Sequence, residues 1–275
     1  MKPIDDKGFL IPVIENNDVD YLACARALAK SIKYWHPEEK VCLLTDADYN
    51  DTDNIFDYVK KFKYPIDYEN PFANDWQVFY CSPFHETIKL ESDIVLTGTI
   101  DHWWSGLRHK DVVIPLGCKN FYGEYSSERF YRRMFDHNNL PDVYNAITYW
   151  RISKTAKTFF SQVRHIFENW QSYYKITTGI DADLVPDTDL VYAIATMIIG
   201  QNHLTLPQID FPCFVHMKGK HNGFPGESWT RHLVWELDAG NLRINTIAQS
   251  CPVHYHEKSF AHKIENHYDK LLAST

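Results

Sequence analysis

Apolar and polar residues alternate along the first part of the chain in the order expected of a parallel α/β sheet. Residues 8–14 form an apolar, β-branched run that predicts a first strand, although Pro12 favours an edge or irregular position for it. Residues 19–34 place apolar side chains at helical spacing, and residues 41–46 form a short buried strand. A strand, a helix and a second strand in this succession predict the opening of a parallel sheet.

The rest of the chain continues as short strands and amphipathic helices. Helices are predicted at residues 51–61, within 71–82, and at 154–170, 189–199 and 259–272, and strands at residues 64–68, 112–116, 145–151, 204–206 and 213–216. Residues 119–142 are polar, aromatic and basic, and are predicted to form an excursion over the active face. The sequence contains no internal repeat, low-complexity segment or linker, so residues 1–275 are expected to form one domain.

Two acidic residues interrupt the strand-like stretch at residues 83–104, around which the chain is organised. Glu91 and Asp93 lie between two apolar runs, and Lys89 is the only cation nearby in the sequence. A buried carboxylate is costly unless a cation pairs with it, so such acids usually face a cleft or a metal ion. In a β conformation both side chains point to the same face, where their oxygens would hold Mg²⁺ or Mn²⁺. A solvated strand end is the alternative interpretation.

Composition narrows the class of protein. Hydrophobic residues make up 44% of the chain and charged residues 23%, and the formal net charge of −8 argues against a generally basic surface that coats nucleic acid. The six cysteines include no Cys-x-x-Cys pair and lie mostly in apolar runs, which is typical of reduced thiols in a cytosolic protein. The chain shows no signal-peptide pattern and no apolar stretch of about 18 residues. We therefore expect a soluble, cytoplasmic protein that makes no membrane contact.

The order of these features resembles the GT-A fold glycosyltransferases, most closely the retaining enzymes of the glycogenin and galactinol synthase type. The likeness extends over residues 8–222 and rests on motif order: an early Asn and Tyr, an Asp-x-Asp strand, an Asn-bearing strand, an Asp ahead of a helix, and a His-bearing loop. It implies an α/β fold with a mostly parallel, Rossmann-like central sheet flanked by helices. Residues 8–105 would form the nucleotide-binding half of the single domain, and residues 106–275 the half that binds the acceptor and the sugar.

The resemblance also implies an activity. It is the transfer of a sugar from a nucleoside diphosphate sugar, expected to be a UDP-sugar, to a hydroxyl acceptor, with retention at the anomeric carbon and with Mn²⁺ or Mg²⁺ as cofactor. Asn17 and Tyr21 match the early Asn and Tyr, which implies contact with the nucleoside; a helix N-terminus and a core tyrosine are the alternative. Glu91-Ser92-Asp93 matches Asp-x-Asp with Glu in the first place. Asp93 is then the firmer metal ligand, and Glu91 reaches the cation or a ribose hydroxyl.

Two further matches concern the sugar. Asn145 matches the Asn of the family's Asn-Ser-Gly segment, which is associated with the donor sugar, although Ala146-Ile147 replaces Ser-Gly here. Asp189 matches an Asp that contacts sugar hydroxyls near the reacting carbon. Asp187 competes for that assignment, and either acid would also serve as a helix cap. The resemblance therefore implies that Asn145 and Asp189 are the catalytic pair.

A histidine completes the predicted metal site. His216, Lys218, Gly219 and Lys220 resemble the family's His-x-x-Gly loop, whose His is the third metal ligand and whose following Lys holds the diphosphate. The Pro-Trp that follows in the family is absent here, and His254 or His256 in Val-His-Tyr-His-Glu-Lys competes for the role of ligand. The basic residue that the family usually carries before Asp-x-Asp is also absent. Asp75 stands near its place, so the sugar cannot be copied from the family.

A second resemblance, to glycosyltransferase-like proteins of T4-like bacteriophages, rests on the runs at residues 86–91 and 102–104. Those phages glycosylate hydroxymethylated pyrimidines in DNA, so the resemblance suggests a DNA acceptor and host cytoplasm as the location. Basic side chains would then contact phosphates, and the candidates are Arg129, Arg132, Arg133 and Lys154. A solvated basic helix is the alternative.

Two other classes of protein remain open from the sequence. One is a GT-A-like module that binds a nucleotide or a partner without catalysis. The other is a metallohydrolase that uses Asp93 with His216, His254 and His256. Release of UDP from a UDP-sugar separates the transferase from both.

Overall fold

The structure is a computed structural model that describes residues 2–15, 18–125, 132–182, 185–206, 211–226 and 228–274. Its strands are β1 (Asp5–Val13), β2 (Val41–Thr45), β3 (Tyr58–Lys60), β4 (Phe84–Leu90), β5 (Ile94–Val95), β6 (Val112–Val113), β7 (Ile147–Arg151), β8 (Val215–His216), β9 (Trp235–Asp238), β10 (Asn241–Ile244), β11 (Ile247–Ala248) and β12 (Val253–His254). Its α-helices are α1 (Tyr21–Trp35), α2 (Gln77–Cys81), α3 (Asp101–Leu107), α4 (Arg133–His137), α5 (Lys154–Glu168), α6 (Trp170–Thr178), α7 (Thr188–Ile199), α8 (Gln201–Leu204), α9 (Gly219–Asn222) and α10 (Ala261–Leu272).

Within these residues a central sheet has the strand order β3-β2-β1-β4-β7-β6. β3, β2, β1 and β4 pair in parallel, and β7 is antiparallel to both β4 and β6. The sheet is therefore mainly parallel, which confirms the predicted fold class. β1 lies in its interior, so the edge position that Pro12 suggested is wrong. Pro12 lies beyond Leu10, the last residue paired with β4, where β1 pairs with β2 alone.

Helices cover both faces of the sheet, as the alternation of side chains along β1 requires. Leu10 packs into a core with α5 and α7, whereas Phe9 and Ile11 pack into a second core with α1 and α3. All three side chains are fully buried. The result is a single α/β domain with its helices in two outer layers.

Three predicted elements are wrong. Residues 51–61 form a turn followed by β3 instead of a helix, because the Asp51 side chain accepts a hydrogen bond from the Phe56 N–H (2.8 Å) and Asn54 adopts a left-handed conformation (φ 51°). Residues 64–68 are not a strand, and the Tyr64 N–H donates to the Gln77 side chain at 2.9 Å. Residues 204–206 are also not a strand, since α8 ends there.

Two small sheets complete the fold. β5, β12 and β8 form one, in which β12 is antiparallel to β5 and parallel to β8. β9, β10 and β11 form an antiparallel sheet in a part of the chain where no element was predicted. The last helix, α10, packs on α1, and the Arg26 guanidinium donates to Glu265 at 2.7 Å. None of the helices in the described ranges is both long enough and apolar enough to cross a membrane.

Candidate active site

The two predicted acids lie in a tight turn between two sheets. β4 ends at Leu90, and β5 begins at Ile94 in the second sheet, so Glu91 and Asp93 do not belong to one continuous strand as predicted. The turn is closed by the Ile94 N–H, which donates to the Glu91 carbonyl at 3.2 Å. It nevertheless turns both carboxylates to the same side, where both reach His254.

The three histidines that competed in the sequence meet at this turn. His216 and His254 end the parallel strands β8 and β12 and are direct partners in their register. His254 Nε2 lies 3.1 Å from Asp93 Oδ1 and 3.2 Å from Glu91 Oε2. His256 Nε2 lies 3.2 Å from His216 Nδ1. Glu91 and Asp93 therefore lie next to His254, the alternative to His216 as third metal ligand. His216, the predicted third ligand, contacts His256 instead.

Lys258 is a site residue that the sequence did not single out as such. Its ammonium group contacts Asp93 Oδ2, and it lies 5.6 Å from the centre of the Tyr21 ring. The sequence feature that points to Lys258 is its position four residues after His254, but that segment was analysed only for its histidines. Tyr21 also lines the cleft, as its predicted nucleoside contact requires.

The electrostatics of the group follow from its burial and its cations. Burial opposes ionisation of Asp93, but His254 and Lys258 outweigh it and hold the pKa of this carboxyl well below its usual value. Burial dominates at Glu91 and raises its pKa. Burial lowers the pKa of His216 and of His256 well below the usual value, and the neighbouring imidazoles add to the effect. The two histidines are therefore neutral imidazoles at neutral pH and offer lone pairs.

A second wall of the cleft joins the two residues predicted to be the catalytic pair. The Asn145 N–H donates to Asp189 Oδ1 at 2.8 Å, and Asp189 Oδ2 accepts from Arg132 at 3.0 Å. Asp187 caps α7 by accepting from the Leu190 N–H at 2.8 Å. The two competing acids thus have different positions, since one caps the helix and the other links Asn145 to Arg132.

At the floor of the cleft, Asp75, which stands near the place of the basic residue that the sequence lacks, is paired with a buried lysine. Lys89 Nζ lies 3.1 Å from Asp75 Oδ1 and donates to the Asn145 carbonyl at 3.0 Å. The Tyr192 hydroxyl donates to the other oxygen of Asp75. Lys89 is fully buried here, and its ion pair is with Asp75 and not with Glu91 or Asp93.

The remaining predicted residues are distributed differently. Lys218 lines the cleft, whereas Lys220 is exposed and does not belong to its lining. Asn17 and Arg129 lie outside the described residues. Of the basic residues suggested for DNA phosphates, Arg133 and Lys154 are exposed.

Arg132 is a correction to the sequence-based prediction. Its side chain is only 1% exposed, and its guanidinium lies 2.6 Å from Asp142 as well as donating to Asp189. It also stacks on the Phe135 and Tyr144 rings, at 3.7 and 3.9 Å from their centres. A guanidinium held in this way inside the protein does not contact DNA phosphates.

The residues present fit a divalent cation. Glu91, Asp93 and His254 each offer a ligand atom, and these atoms lie within 4.8 Å of one another. His216 Nε2 and His254 Nδ1 are buried and have no hydrogen-bond partner within the described part of the chain. Buried polar atoms are nearly always satisfied by protein, water or an ion. The group opens into a cleft of about 710 Å³, large enough for an extended ligand.

Comparison with known proteins identifies the fold. No family model matches the chain, and no curated protein sequence does. Among solved structures, the galactosyltransferase LgtC in complex with donor and acceptor sugar analogs is 12% identical, with a TM-score of 0.53 over 97% of this chain and 96% of that one. Mouse xyloside xylosyltransferase 1 is 11% identical, with a TM-score of 0.49 over 84% of this chain and 91% of that one. The chain has the fold of the GT-A glycosyltransferases.

Proposed function

We propose that the protein is a metal-dependent glycosyltransferase that moves a sugar from a UDP-sugar to a hydroxyl acceptor, with retention at the anomeric carbon. The observation that carries the proposal is the group formed by Glu91, Asp93, His254 and Lys258 at the carboxyl end of β4. In an α/β sheet this is the edge at which ligands usually bind. The GT-A fold adds support, since LgtC is a galactosyltransferase whose structure holds donor and acceptor analogs.

In this proposal Asp93, Glu91 and His254 would hold Mn²⁺ or Mg²⁺, and His216 lies beside His254 on the neighbouring strand. A bound ion would stabilise the negative charge that develops on the departing phosphate. Lys258 already lies on Asp93 and would carry a second positive charge to the diphosphate. Lys218 lines the same cleft and would add a third. With these charges in place the leaving group needs no separate general acid.

The sugar would lie between the turn that carries Glu91 and Asp93, here called the acid turn, and the wall formed by Asn145 and Asp189. The hydrogen bond from the Asn145 N–H and the contact from Arg132 fix the carboxylate of Asp189 in one orientation. Asp189 is therefore poised to accept hydrogen bonds from sugar hydroxyls near the reacting carbon. Tyr21 would contact the nucleoside, and residues 106–275 would contribute the acceptor side of the domain.

The acceptor is proposed only as a hydroxyl compound. The hypothesis that the acceptor is a hydroxymethylated pyrimidine in DNA depended partly on four basic residues as phosphate contacts. Arg132 is buried, so it is no longer one of these candidates. A binding module without catalysis is the principal competing function, and a metallohydrolase is the next.

The test is release of UDP across a panel of UDP-sugars with Mn²⁺. We expect release with at least one donor, its loss in Asp93→Asn and in a chelator, and a large fall in kcat in Lys258→Met. Lys270→Met on the exposed surface of α10 is the control for loss of a lysine. Release of phosphate without a sugar donor would indicate a hydrolase, and silence across the panel by a folded protein would indicate a binding module.

A further inference from the structure

Beside the carboxylates, three histidines form a second group of metal-ligand atoms. His216, His254 and His256 each offer one ring nitrogen, and these nitrogens lie within 4.8 Å of one another. The ring centres are 5.0 Å apart for His216 and His254, 4.4 Å for His216 and His256, and 4.0 Å for His254 and His256. The first two histidines are fixed by the register of β8 and β12, so the cluster is part of a sheet and not of an exposed loop.

Two nitrogens of this cluster are buried without a partner. His216 is 4% exposed and His254 5% exposed. His216 Nε2 and His254 Nδ1 lack a hydrogen-bond partner among the residues that the structure describes. His254 uses its other nitrogen, Nε2, on the carboxylates. The proposed sugar transfer therefore leaves the Nδ1 atom of His254, and the whole of His256, without a role.

We propose that His216, His254 and His256 form a second cation site, which takes a borderline-soft transition-metal ion of the Zn²⁺ class. Imidazole nitrogens favour Zn²⁺, Co²⁺ and Ni²⁺, whereas the oxygens of Glu91 and Asp93 favour Mn²⁺ and Mg²⁺. Three imidazoles and one water make an ordinary four-coordinate zinc site.

The shared residue links the two sites. His254 belongs to both groups. A neutral imidazole has a lone pair on only one of its two nitrogens, so an ion held by the three histidines leaves none on His254 for an ion held by Glu91 and Asp93. Zn²⁺ and Mn²⁺ should therefore weaken each other's binding by the same factor, because such coupling is reciprocal. Zn²⁺ would then act as an inhibitor of the Mn²⁺-loaded protein.

The test measures metal binding by calorimetry on the whole chain without any nucleotide sugar. His256→Gln should weaken Zn²⁺ binding by about tenfold or more while changing Mn²⁺ affinity by less than about twofold. Asp93→Asn should weaken Mn²⁺ binding more than Zn²⁺ binding. His262→Gln, at an exposed position on α10, should behave as the wild type. His216→Gln should repeat the loss of Zn²⁺ affinity in a second protein whose melting temperature is checked.

A second readout is the visible spectrum of Co²⁺, which absorbs more strongly at a four-coordinate nitrogen site than at a six-coordinate oxygen site. We expect the strong bands in the wild type and their loss in His256→Gln. Unchanged Zn²⁺ affinity in His256→Gln, or an equal loss of Zn²⁺ and Mn²⁺ affinity, would overturn the second site. Because no sugar donor is used, the outcome does not depend on whether the protein transfers sugar.

An independent observation concerns two thiols that precede the histidine strands. Cys213 Sγ and Cys251 Sγ lie 2.8 Å apart, and each precedes its strand, β8 or β12, by two residues. Both are half-buried, whereas Cys24, Cys42 and Cys118 are buried. The parallel register of the two strands places the two thiols side by side and keeps them accessible to a small oxidant.

We infer that Cys213 and Cys251 are a dithiol that a low-molecular-weight disulfide oxidises. The two thiols give up two protons and two electrons and form one S–S bond, and the oxidant is reduced to two thiols. The new bond ties β8 to β12, the strands that carry His216 and His254. Oxidation should therefore raise the melting temperature, because it restricts the unfolded chain.

The test treats the native protein with oxidised glutathione, alkylates the remaining thiols after denaturation, and maps peptides. We expect a cross-link between Cys213 and Cys251, alkylated Cys24 and Cys42, and a rise in melting temperature that dithiothreitol reverses. Cys251→Ser should show neither the cross-link nor the rise. Separate glutathione adducts on the two cysteines, or two freely alkylated thiols, would overturn the inference.

Discussion

Arg132 offers the sharpest test of how the second wall of the cleft, which contains Asn145 and Asp189, is held together. Its guanidinium is 1% exposed, lies 2.6 Å from Asp142, and donates to Asp189 at 3.0 Å and to the Val143 carbonyl at 2.7 Å. Arg132→Met keeps most of the volume and the packing on the rings while removing the charge and every donor. The substitution therefore isolates the polar contribution from the apolar one.

The expected cost follows from these contacts. A buried charge-assisted hydrogen bond contributes roughly 1.5–3 kcal/mol. Asp142 and Asp189 are 32% and 26% exposed, so solvent screening lowers each ion pair to about 1 kcal/mol. The Val143 carbonyl, left unpaired in the interior, adds about 1 kcal/mol. We therefore expect Arg132→Met to lower the free energy of unfolding by about 3 kcal/mol, or the melting temperature by about 6 °C.

The assay is urea denaturation followed by circular dichroism. Arg243→Met is the control for loss of an arginine, because Arg243 is exposed on β10, and it should change stability by less than about 0.5 kcal/mol. Arg132→Lys keeps the charge but not the fork of donors, so its cost should fall between those of the other two variants. A loss below about 1 kcal/mol in Arg132→Met would refute the reasoning, because it would mean that the acids and the carbonyl are satisfied without the guanidinium.

Two further predictions concern the stability of the fold, at the contact between α1 and α10 and at β1. Burial opposes ionisation of Glu265, but the hydrogen bond from Arg26 outweighs burial and lowers the pKa of this carboxyl. The ion pair therefore stabilises the fold fully above the pKa that Glu265 has in the unfolded chain, and this stabilisation is lost as pH falls through the lower pKa of the folded protein. Glu265→Gln should cost about 1–2 kcal/mol at pH 7 by urea denaturation, and a cost that persists at pH 3 would contradict the linkage. Gly8→Ala should cost about 1–3 kcal/mol by the same assay, because an added Cβ would meet Phe84 Cζ at 2.4 Å. Gly98→Ala, with no atom within 4 Å of the added Cβ, is its control, and equal effects of the two would exclude the steric explanation.

Local periodicity predicted the parts of the fold that local interactions determine. The helices α1, α5 and α10 and the strands β2 and β4 follow patterns that remain visible because each element buries one continuous face or run. The 51–61 prediction failed because one side-chain hydrogen bond and a left-handed asparagine closed a turn inside a helix-like pattern. The strands β9, β10 and β11 escaped prediction because they are short.

The site was predictable in its residue types but not in its pairings. Motif order selected the acids, three histidines, Asn145 and Asp189, and all of them line one cleft. Which histidine approaches the acids depends on strand order, because β12 lies between β5 and β8 and so places His254 next to the turn that carries the acids, and no local pattern specifies that order. Lys258 was missed for the same reason, since it reaches Asp93 across 165 positions of sequence. Arg132 was wrongly predicted to contact DNA phosphates, because the sequence of a polar stretch does not show that this cation is buried against Asp142 and Asp189.

The C-terminal region, and not the central sheet, converts the fold into a site. The Tyr255 N–H donates to the Asp93 carbonyl at 3.0 Å, and the Tyr255 carbonyl accepts from the indole of buried Trp229 at 2.9 Å. The acid turn and the segment that carries His254, His256 and Lys258 are thereby connected through the backbone of one residue. A movement of that segment would shift the imidazoles and the ammonium group together against the carboxylates. The geometry of the proposed metal ligands is thus coupled to the packing of Trp229, a residue that touches no substrate in the proposed reaction.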